Sequence, residues 1–145
     1  MSVPGGLVFA DTNILVSAHG VGDQDRRAPV ARQRLEQLWR DGTGVASSQV
    51  LQEFYAVATR KLTPPLPRKQ ARAIVASYAE WCRVGTDAEL IVAASVLEEQ
   101  HTLTFWDALI IEAAQRAMAA TLLSDYLQHG RHFGDLIVEN PFRDR

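Results

Sequence analysis

Four acidic residues stand where carboxylates from distant parts of the chain could act together. Asp11 and Asp125 each follow a short β-like segment, Asp107 heads the apolar stripe of a helix, and Glu53 lies at the edge of a buried helical face. Unit charges 4 Å apart repel by about 4 kcal/mol at an effective dielectric near 20. A convergent cluster therefore requires protonation or a bound cation. Oxygen ligands without Cys or His suit Mg²⁺ or Mn²⁺, which can activate water and stabilise charge on a phosphate.

Each of these acids also has an ordinary structural explanation. Asp11 is suited to cap the helix that follows it. Thr104 and Asp107 fit the [ST]-x-x-[DE] capping pattern, which is compatible with a second role for the carboxylate. Taken alone, Glu53 is expected on the solvent-exposed flank of its helix. Asp125 alone is expected in a turn or at a helix cap. Their joint placement, rather than any single residue, favours a shared site.

The elements that must position these acids alternate between short apolar runs and longer helical ones. We predict strands at Leu7–Ala10, Gly44–Ala46, Trp81–Val84, Thr121–Leu123 and Leu136–Glu139. We predict helices at Val30–Trp39, from Ser47 or Ser48 through Ala58, at Arg68–Glu80, from a capping box at Thr86 to Gln100, and at Trp106–Ala119. Helical crossovers imply a parallel sheet covered on both faces, so residues 1–145 form one α/β domain. Ligands bind beyond the carboxyl ends of such strands, where Asp11 and Asp125 lie.

Composition sets limits on the class of protein. With 145 residues, 47% hydrophobic and 22% charged, the chain predicts a single folded domain. No apolar run approaches a membrane span, and Met1–Gly6 shows no signal-peptide pattern, so we expect a cytoplasmic protein. Cys82 is the one cysteine, which excludes an intrachain disulfide and a cysteine metal cluster. The net charge of -2 does not exclude RNA, because divalent cations at the acids would bring positive charge to the site.

Four segments resemble, in order, the motifs of PIN domains, a metal-dependent ribonuclease family. They are Val8–Val16, Ser48–Phe54, Phe105–Ile110, and the stretch from Leu122–Asp125 to Asn140–Phe142, which resembles the C-terminal segment of bacterial VapC-type toxins. The resemblance implies a three-layer α/β/α fold with a mostly parallel five-stranded sheet. It further implies a Mg²⁺- or Mn²⁺-dependent endoribonuclease, the toxin of a toxin–antitoxin pair. Its implied partners are RNA, a second copy in a homodimer, and a cognate antitoxin whose C-terminal segment lies across the active-site groove.

Carried over by position, the resemblance assigns roles to six residues, with Asp11, Glu53, Asp107 and Asp125 as the catalytic and metal-binding acids. Asp11 and Asp107 would ligate the metal, and Glu53 would join them directly or through water. Asn13 and Ser124 would orient the acids. This sequence departs from the family pattern at Tyr126, which occupies the position expected for the last acid. Asp125 lies one position before it. This departure leaves open a weakened second metal site, or an Asp125 that acts only through its charge.

The sequence also offers candidate RNA contacts and two other functions. The basic candidates are Arg26, Arg27, Arg32, Arg34, Arg60, Lys61 and Arg131, while Tyr55, Trp81 and Trp106 are expected in the core or at a subunit interface.

One alternative is a PIN-like domain that binds RNA or a partner protein without cleaving. The other, a phosphate-accepting signalling domain, would need a lysine near the last strand, and the only lysines are Lys61 and Lys69.

Overall fold

A single mostly parallel sheet forms the centre of the protein. The computed structural model describes residues 6–20 and 26–143. In that part of the chain the sheet has six strands in the order β3-β2-β1-β4-β6-β5. Neighbouring strands run parallel except for β5, which pairs antiparallel with β6. The strands are β1 Leu7–Ala10, β2 Gly44–Ser47, β3 Cys82–Val84, β4 Ala119–Leu123, β5 His132–Phe133 and β6 Leu136–Glu139.

Helices connect the first four strands. They are α1 Thr12–His19, α2 Arg27–Asp41, α3 Ser48–Arg60, α4 Arg68–Ser77, α5 Ala88–His101 and α6 Phe105–Arg116, with one 3-10 turn at Tyr78–Trp81. Four of these helices begin at a side chain that accepts a backbone N–H from the first turn. The capping residues are Asp11 for α1, Ser47 for α3, Asp87 for α5 and Thr104 for α6. Gly42, in the left-handed conformation, ends α2.

The helices cover the two faces of the sheet in two groups. Helix α1 packs against both α2 and α3, α3 packs against α4, and α5 packs against α6. The chain moves from β1 outwards to β2 and β3, then returns past them to β4. Because parallel crossovers are right-handed, this reversal places the two groups on opposite faces. The result is an α/β/α sandwich whose strand order reverses between β1 and β4.

Apolar side chains from all three layers fill the interior. The largest fully buried ones include Phe9 of β1, Phe54 of α3 and Ile111 of α6. Gly44 shows how closely β2 is packed, because a Cβ at this position would lie 2.5 Å from the ring of Trp81. Only a glycine lets that indole lie over the strand.

The predicted fold class is confirmed, and the differences are local. The sheet has a sixth strand, β5, whose two residues are too short to show a period. The predicted helix to Glu80 ends at Ser77, and Trp81 lies in the 3-10 turn rather than in β3. The cap of α5 is Asp87 rather than Thr86, because the Asp87 side chain accepts the Leu90 N–H. No helix among the described residues is long and apolar enough to span a membrane.

Candidate active site

The reversal of strand order brings two of the predicted residues to neighbouring strand ends. Asp11 follows β1 directly, and its N–H donates to the Leu123 carbonyl at the end of β4 at 3.0 Å. Ser124 and Asp125 continue from β4. Open parallel sheets bind ligands at this kind of switch point, because the connections on either side diverge and leave a crevice.

A pocket of about 360 Å³ lies at this edge and is lined by three of the four predicted acids. Asp11 comes from the end of β1, Glu53 from α3 and Asp107 from the first turn of α6. The other lining residues are Thr12, Asn13, Gln49, Ala56, Val57, Lys61, Trp106, Ile110 and Tyr126. Three carboxylates far apart in sequence thus share one cavity, and Lys61 is the one cation that lines it among the described residues.

Asp11 is the most strongly perturbed of these acids. Burial is the main cause that raises its pKa from 3.8 to about 6, and the charges of Glu53 and Asp107 add to the effect. Hydrogen bonds from the Thr12 N–H, at 2.7 Å, and from the Ser124 hydroxyl lower the pKa and only partly offset burial. Asp11 therefore caps α1 and also belongs to the acidic pocket.

Glu53 is held by two side chains that the pattern of acids did not indicate. Thr12 Oγ1 donates to Glu53 Oε1 at 2.8 Å, and Gln49 Nε2 donates to Glu53 Oε2 at 3.3 Å. The same Nε2 lies 3.5 Å from the Trp106 carbonyl. Since both neighbours are acceptors, the amide must present its NH₂ group to them. Gln49 Oε1 is then buried without a hydrogen-bond partner among the described residues.

Asp107 combines the two roles considered for it. Its N–H donates to Thr104 Oγ1 at 3.1 Å, so Thr104 caps α6 and Asp107 lies in the first turn. Burial raises the pKa of its carboxyl, the Thr104 hydrogen bond lowers it, and the charge of Glu53 raises it further. The cap thus fixes the backbone, while the half-buried carboxylate lines the pocket.

Asp125 points elsewhere. Its Oδ2 is 3.1 Å from Arg27 Nη1, and its Oδ1 accepts from Asn13 Nδ2 at 3.3 Å. It is not among the residues that line the pocket, whereas Tyr126 is. Ser124 is fully buried, and its hydroxyl accepts the N–H groups of Tyr126 and Leu127 at 3.2 and 3.3 Å. The structure therefore brings three of the four predicted acids together, and the fourth bonds to Asn13, which lines the pocket.

The donor set suits a hydrated divalent cation. Within residues 6–20 and 26–143, no three His, Cys, Asp or Glu side chains are grouped closely enough to enclose an ion by themselves. Mg²⁺, however, keeps several waters and is commonly held by one or two carboxylates. The mutually repelling Asp11, Glu53 and Asp107, together with the unpaired acceptor of Gln49, fit such an ion and its water shell.

Thr12, Gln49 and Trp106 are the site residues that sequence reasoning missed. Thr12 adjoins Asp11, and Gln49 lies one helical turn before Glu53, so spacing alone could have indicated them. The expectation that Trp106 lies in the core is wrong, because its side chain is exposed and lines the pocket, while its placement at a subunit interface stays a prediction. Among the seven basic candidates, Lys61 is the one that lines the pocket.

Comparison with known families identifies the class of protein. A family model of the PIN domain matches residues 8–127, so the chain belongs to the PIN domain family. No curated protein matches the sequence significantly.

Solved structures show the same fold at low identity. The chain is 20% identical to the Mycobacterium tuberculosis VapC20 toxin, described as cleaving the sarcin–ricin loop, with a TM-score of 0.59 over 79% of this chain and 86% of that one. The chain is 16% identical to a toxin–antitoxin complex from Klebsiella pneumoniae, with a TM-score of 0.66 over 96% of this chain and 100% of that one. It is 21% identical to Rickettsia felis VapBC2, which was solved bound to a promoter DNA fragment, with a TM-score of 0.61 over 92% of this chain and 98% of that one.

Proposed function

We propose that this protein is a Mg²⁺- or Mn²⁺-dependent endoribonuclease and the toxin of a toxin–antitoxin pair. The observation that carries the proposal is the pocket at the β1–β4 switch point, where Asp11, Glu53 and Asp107 converge in a member of the PIN family. A cluster of acids repels phosphates on its own. A bound divalent cation would reverse that repulsion, activate water and stabilise charge on the phosphate.

The chain's own residues have distinct tasks in this proposal. Asp11 and Asp107 would hold the metal, with Glu53 as a direct or water-mediated third ligand. Thr12 and Gln49 hold the two oxygens of Glu53, and Ser124 holds Asp11. We assign Asp125 a supporting role, because it bonds to Asn13, which lines the pocket, and its charge is paired with Arg27.

Cleavage of RNA by paired carboxylate variants tests this proposal. The purified protein should cleave RNA with Mg²⁺ or Mn²⁺ and not with EDTA. Asp11→Asn and Asp107→Asn should each lower the rate by roughly 100-fold or more while the circular dichroism spectrum is retained. Asp135→Asn, at an exposed position outside the pocket, should cleave like the wild type.

Equal cleavage by the wild type and Asp11→Asn would refute the assignment. Calorimetric titration with Mn²⁺ separates the alternative function. No binding at millimolar concentration, together with retained RNA binding, would identify a PIN-like domain that binds without cleaving.

We further propose a cognate antitoxin and a cytoplasmic location for the chain. The neighbours from Klebsiella pneumoniae and Rickettsia felis are toxin–antitoxin assemblies, which supports this partner class. Co-expression with the product of an adjacent small reading frame should yield a stable complex in which RNA cleavage is suppressed. Retained cleavage in such a complex would argue against an inhibitory partner.

Helix α5 offers the surface that suits the proposed homodimer. Ile91, Val92 and Val96 are exposed on this one helix, although they are apolar. We expect Val92→Glu to shift sedimentation equilibrium towards the monomer, whereas the same change at exposed Ile137 of β6 should leave the mass unchanged. A wild-type chain that sediments as a monomer would contradict the dimer.

A further inference from the structure

A second cavity lies between α3 and α4 and reaches the edge strand β3. It has a volume of about 470 Å³, within the range of small-molecule sites, and its inner surface is almost entirely apolar. That surface comes from Leu51 and Tyr55 of α3, Val75 of α4 and Cys82 of β3. We call this cavity the α3–α4 groove.

Helix α3 separates the α3–α4 groove from the acidic pocket. Glu53 and Val57 of this helix line the acidic pocket, whereas Leu51 and Tyr55 line the groove, and the two sites share no lining residue. A ligand in the groove would therefore not touch the acids. Its binding can be measured without metal or RNA.

Arg72 gives the α3–α4 groove its charge. It is the one charged residue that lines the groove among the described residues, and its side chain is exposed. In that part of the chain it forms no ion pair. The guanidinium presents a planar fork of donors that matches a carboxylate, and Ser48 and Gln52 add a hydroxyl and an amide. The groove therefore favours an anion with an apolar body.

The distribution of apolar surface favours a small ligand over a protein partner. Protein interfaces are centred on large apolar and aromatic side chains that the free protein exposes. Across residues 6–20 and 26–143 no such exposed side chain lines the α3–α4 groove. Tyr55, Val75 and Cys82 are half-buried and Leu51 is buried, so the apolar surface lies within the walls. A slender apolar chain can reach these walls, whereas a flat protein surface cannot.

We propose that the α3–α4 groove binds an unbranched carboxylate of the fatty-acid type, with its chain along Leu51, Tyr55 and Val75 and its carboxylate at Arg72. This site is additional to the proposed ribonuclease site and does not depend on it. The chain supplies most of the affinity, because each methylene removed from water strengthens binding by roughly 2- to 4-fold. The exposed Arg72 adds selectivity for the anion.

Calorimetric titration of the full chain tests both contributions. The ligands are hexanoate, octanoate and decanoate, each below its critical micelle concentration, and affinity should rise with every added methylene. Arg72→Gln should weaken octanoate binding by roughly 2- to 5-fold. The same variant should leave the affinity for octanol, which has no charge, unchanged. Arg40→Gln, at an exposed arginine of α2 outside the groove, should bind octanoate like the wild type.

Cys82 gives a second readout that is specific to the α3–α4 groove. It is the one cysteine of the chain and lines the groove, so alkylation by iodoacetamide reports on this position alone. Saturating decanoate should slow the alkylation with the same concentration dependence as the calorimetric binding. Val75→Phe, whose ring would fill the groove, should lose both decanoate binding and protection. Ile137→Phe, at an exposed apolar side chain outside the groove, should keep both.

Four outcomes would overturn the proposal. Titrations without binding, together with unprotected Cys82, would exclude the site. An affinity that does not change with chain length would show only ion pairing at a surface arginine. Cys82 that becomes protected as the protein concentration rises, without ligand, would assign the groove to a second copy of the chain. Protection by a co-expressed antitoxin but by no carboxylate would assign it to a protein partner.

Discussion

Replacing Asp11 by Asn should stabilise the metal-free protein while removing its proposed activity. The carboxyl has its pKa raised from 3.8 to about 6, chiefly by burial and further by Glu53 and Asp107. A pKa shift of that size corresponds to about 3 kcal/mol in the free energy of unfolding. At neutral pH the folded protein carries this cost, because the ionised form is less well accommodated in the pocket than in the unfolded chain. Asparagine is neutral, and its oxygen can still accept the Thr12 N–H.

The sign of the pH dependence follows from the two pKa values. Between about pH 4 and pH 6 the folded wild type binds more protons than the unfolded chain, so its stability falls as pH rises through this window. Above pH 6 the penalty is complete. Asp11→Asn has no such titration, so its advantage over the wild type should be largest at pH 7 and should shrink towards pH 4.

Urea or thermal unfolding in EDTA measures this difference. We expect Asp11→Asn to gain about 1 to 3 kcal/mol at pH 7, or roughly 3 to 10 °C in Tm. Asp135→Asn, at an exposed carboxylate, should change stability by less than about 0.5 kcal/mol. Adding Mg²⁺ should reduce the gap, since an ion that binds the folded wild type stabilises it by mass action. An Asp11→Asn variant that is no more stable than the wild type in EDTA at pH 7 would refute the reasoning.

The remaining predictions concern packing and the support of Glu53. Gly44→Ala should destabilise the protein by about 1 to 3 kcal/mol in urea titrations, because its Cβ would lie 2.5 Å from Trp81. Gly85→Ala, where the nearest atom would be 3.8 Å away, is the matched control, and equal losses in the two variants would contradict the packing argument. Gln49→Leu should weaken Mn²⁺ binding in calorimetry by roughly 10- to 100-fold, because it frees one oxygen of Glu53. Unchanged Mn²⁺ affinity would exclude that role for Gln49.

Most of the fold could be predicted because its elements differ in period and length. The apolar run of β1 is too short for a helix, and the segments between strands are long enough to require helical crossovers. The two-residue strand β5 has no readable period, and it forms only because the chain turns back against β6. Trp81 continues the apolar pattern of β3, yet it lies in the 3-10 turn and packs on β2 at Gly44. Local patterns cannot show such tertiary contacts.

Three acids of the site could be anticipated because the backbone alone determines where they lie. Asp11 ends a central strand, and Asp107 begins a capped helix, so topology brings both to one edge. Asp125 also follows a strand, but the direction of its side chain depends on Arg27 and Asn13. Both Asp125 and Tyr126 lie in a bend after β4, where the Ser124 hydroxyl accepts the Tyr126 N–H. Tyr126, rather than Asp125, therefore lines the pocket.

The near-neutral net charge conceals an uneven distribution that links stability, metal binding and RNA binding. The penalty at Asp11 comes chiefly from its burial and is increased by the charges of Glu53 and Asp107, which would also repel a phosphate. A divalent cation would remove both effects at once, so it should stabilise the fold and admit RNA through a single binding event. Asp11→Asn should therefore lose the stabilisation by Mg²⁺ and keep the circular dichroism spectrum of the wild type, a combination that a loss of fold cannot produce.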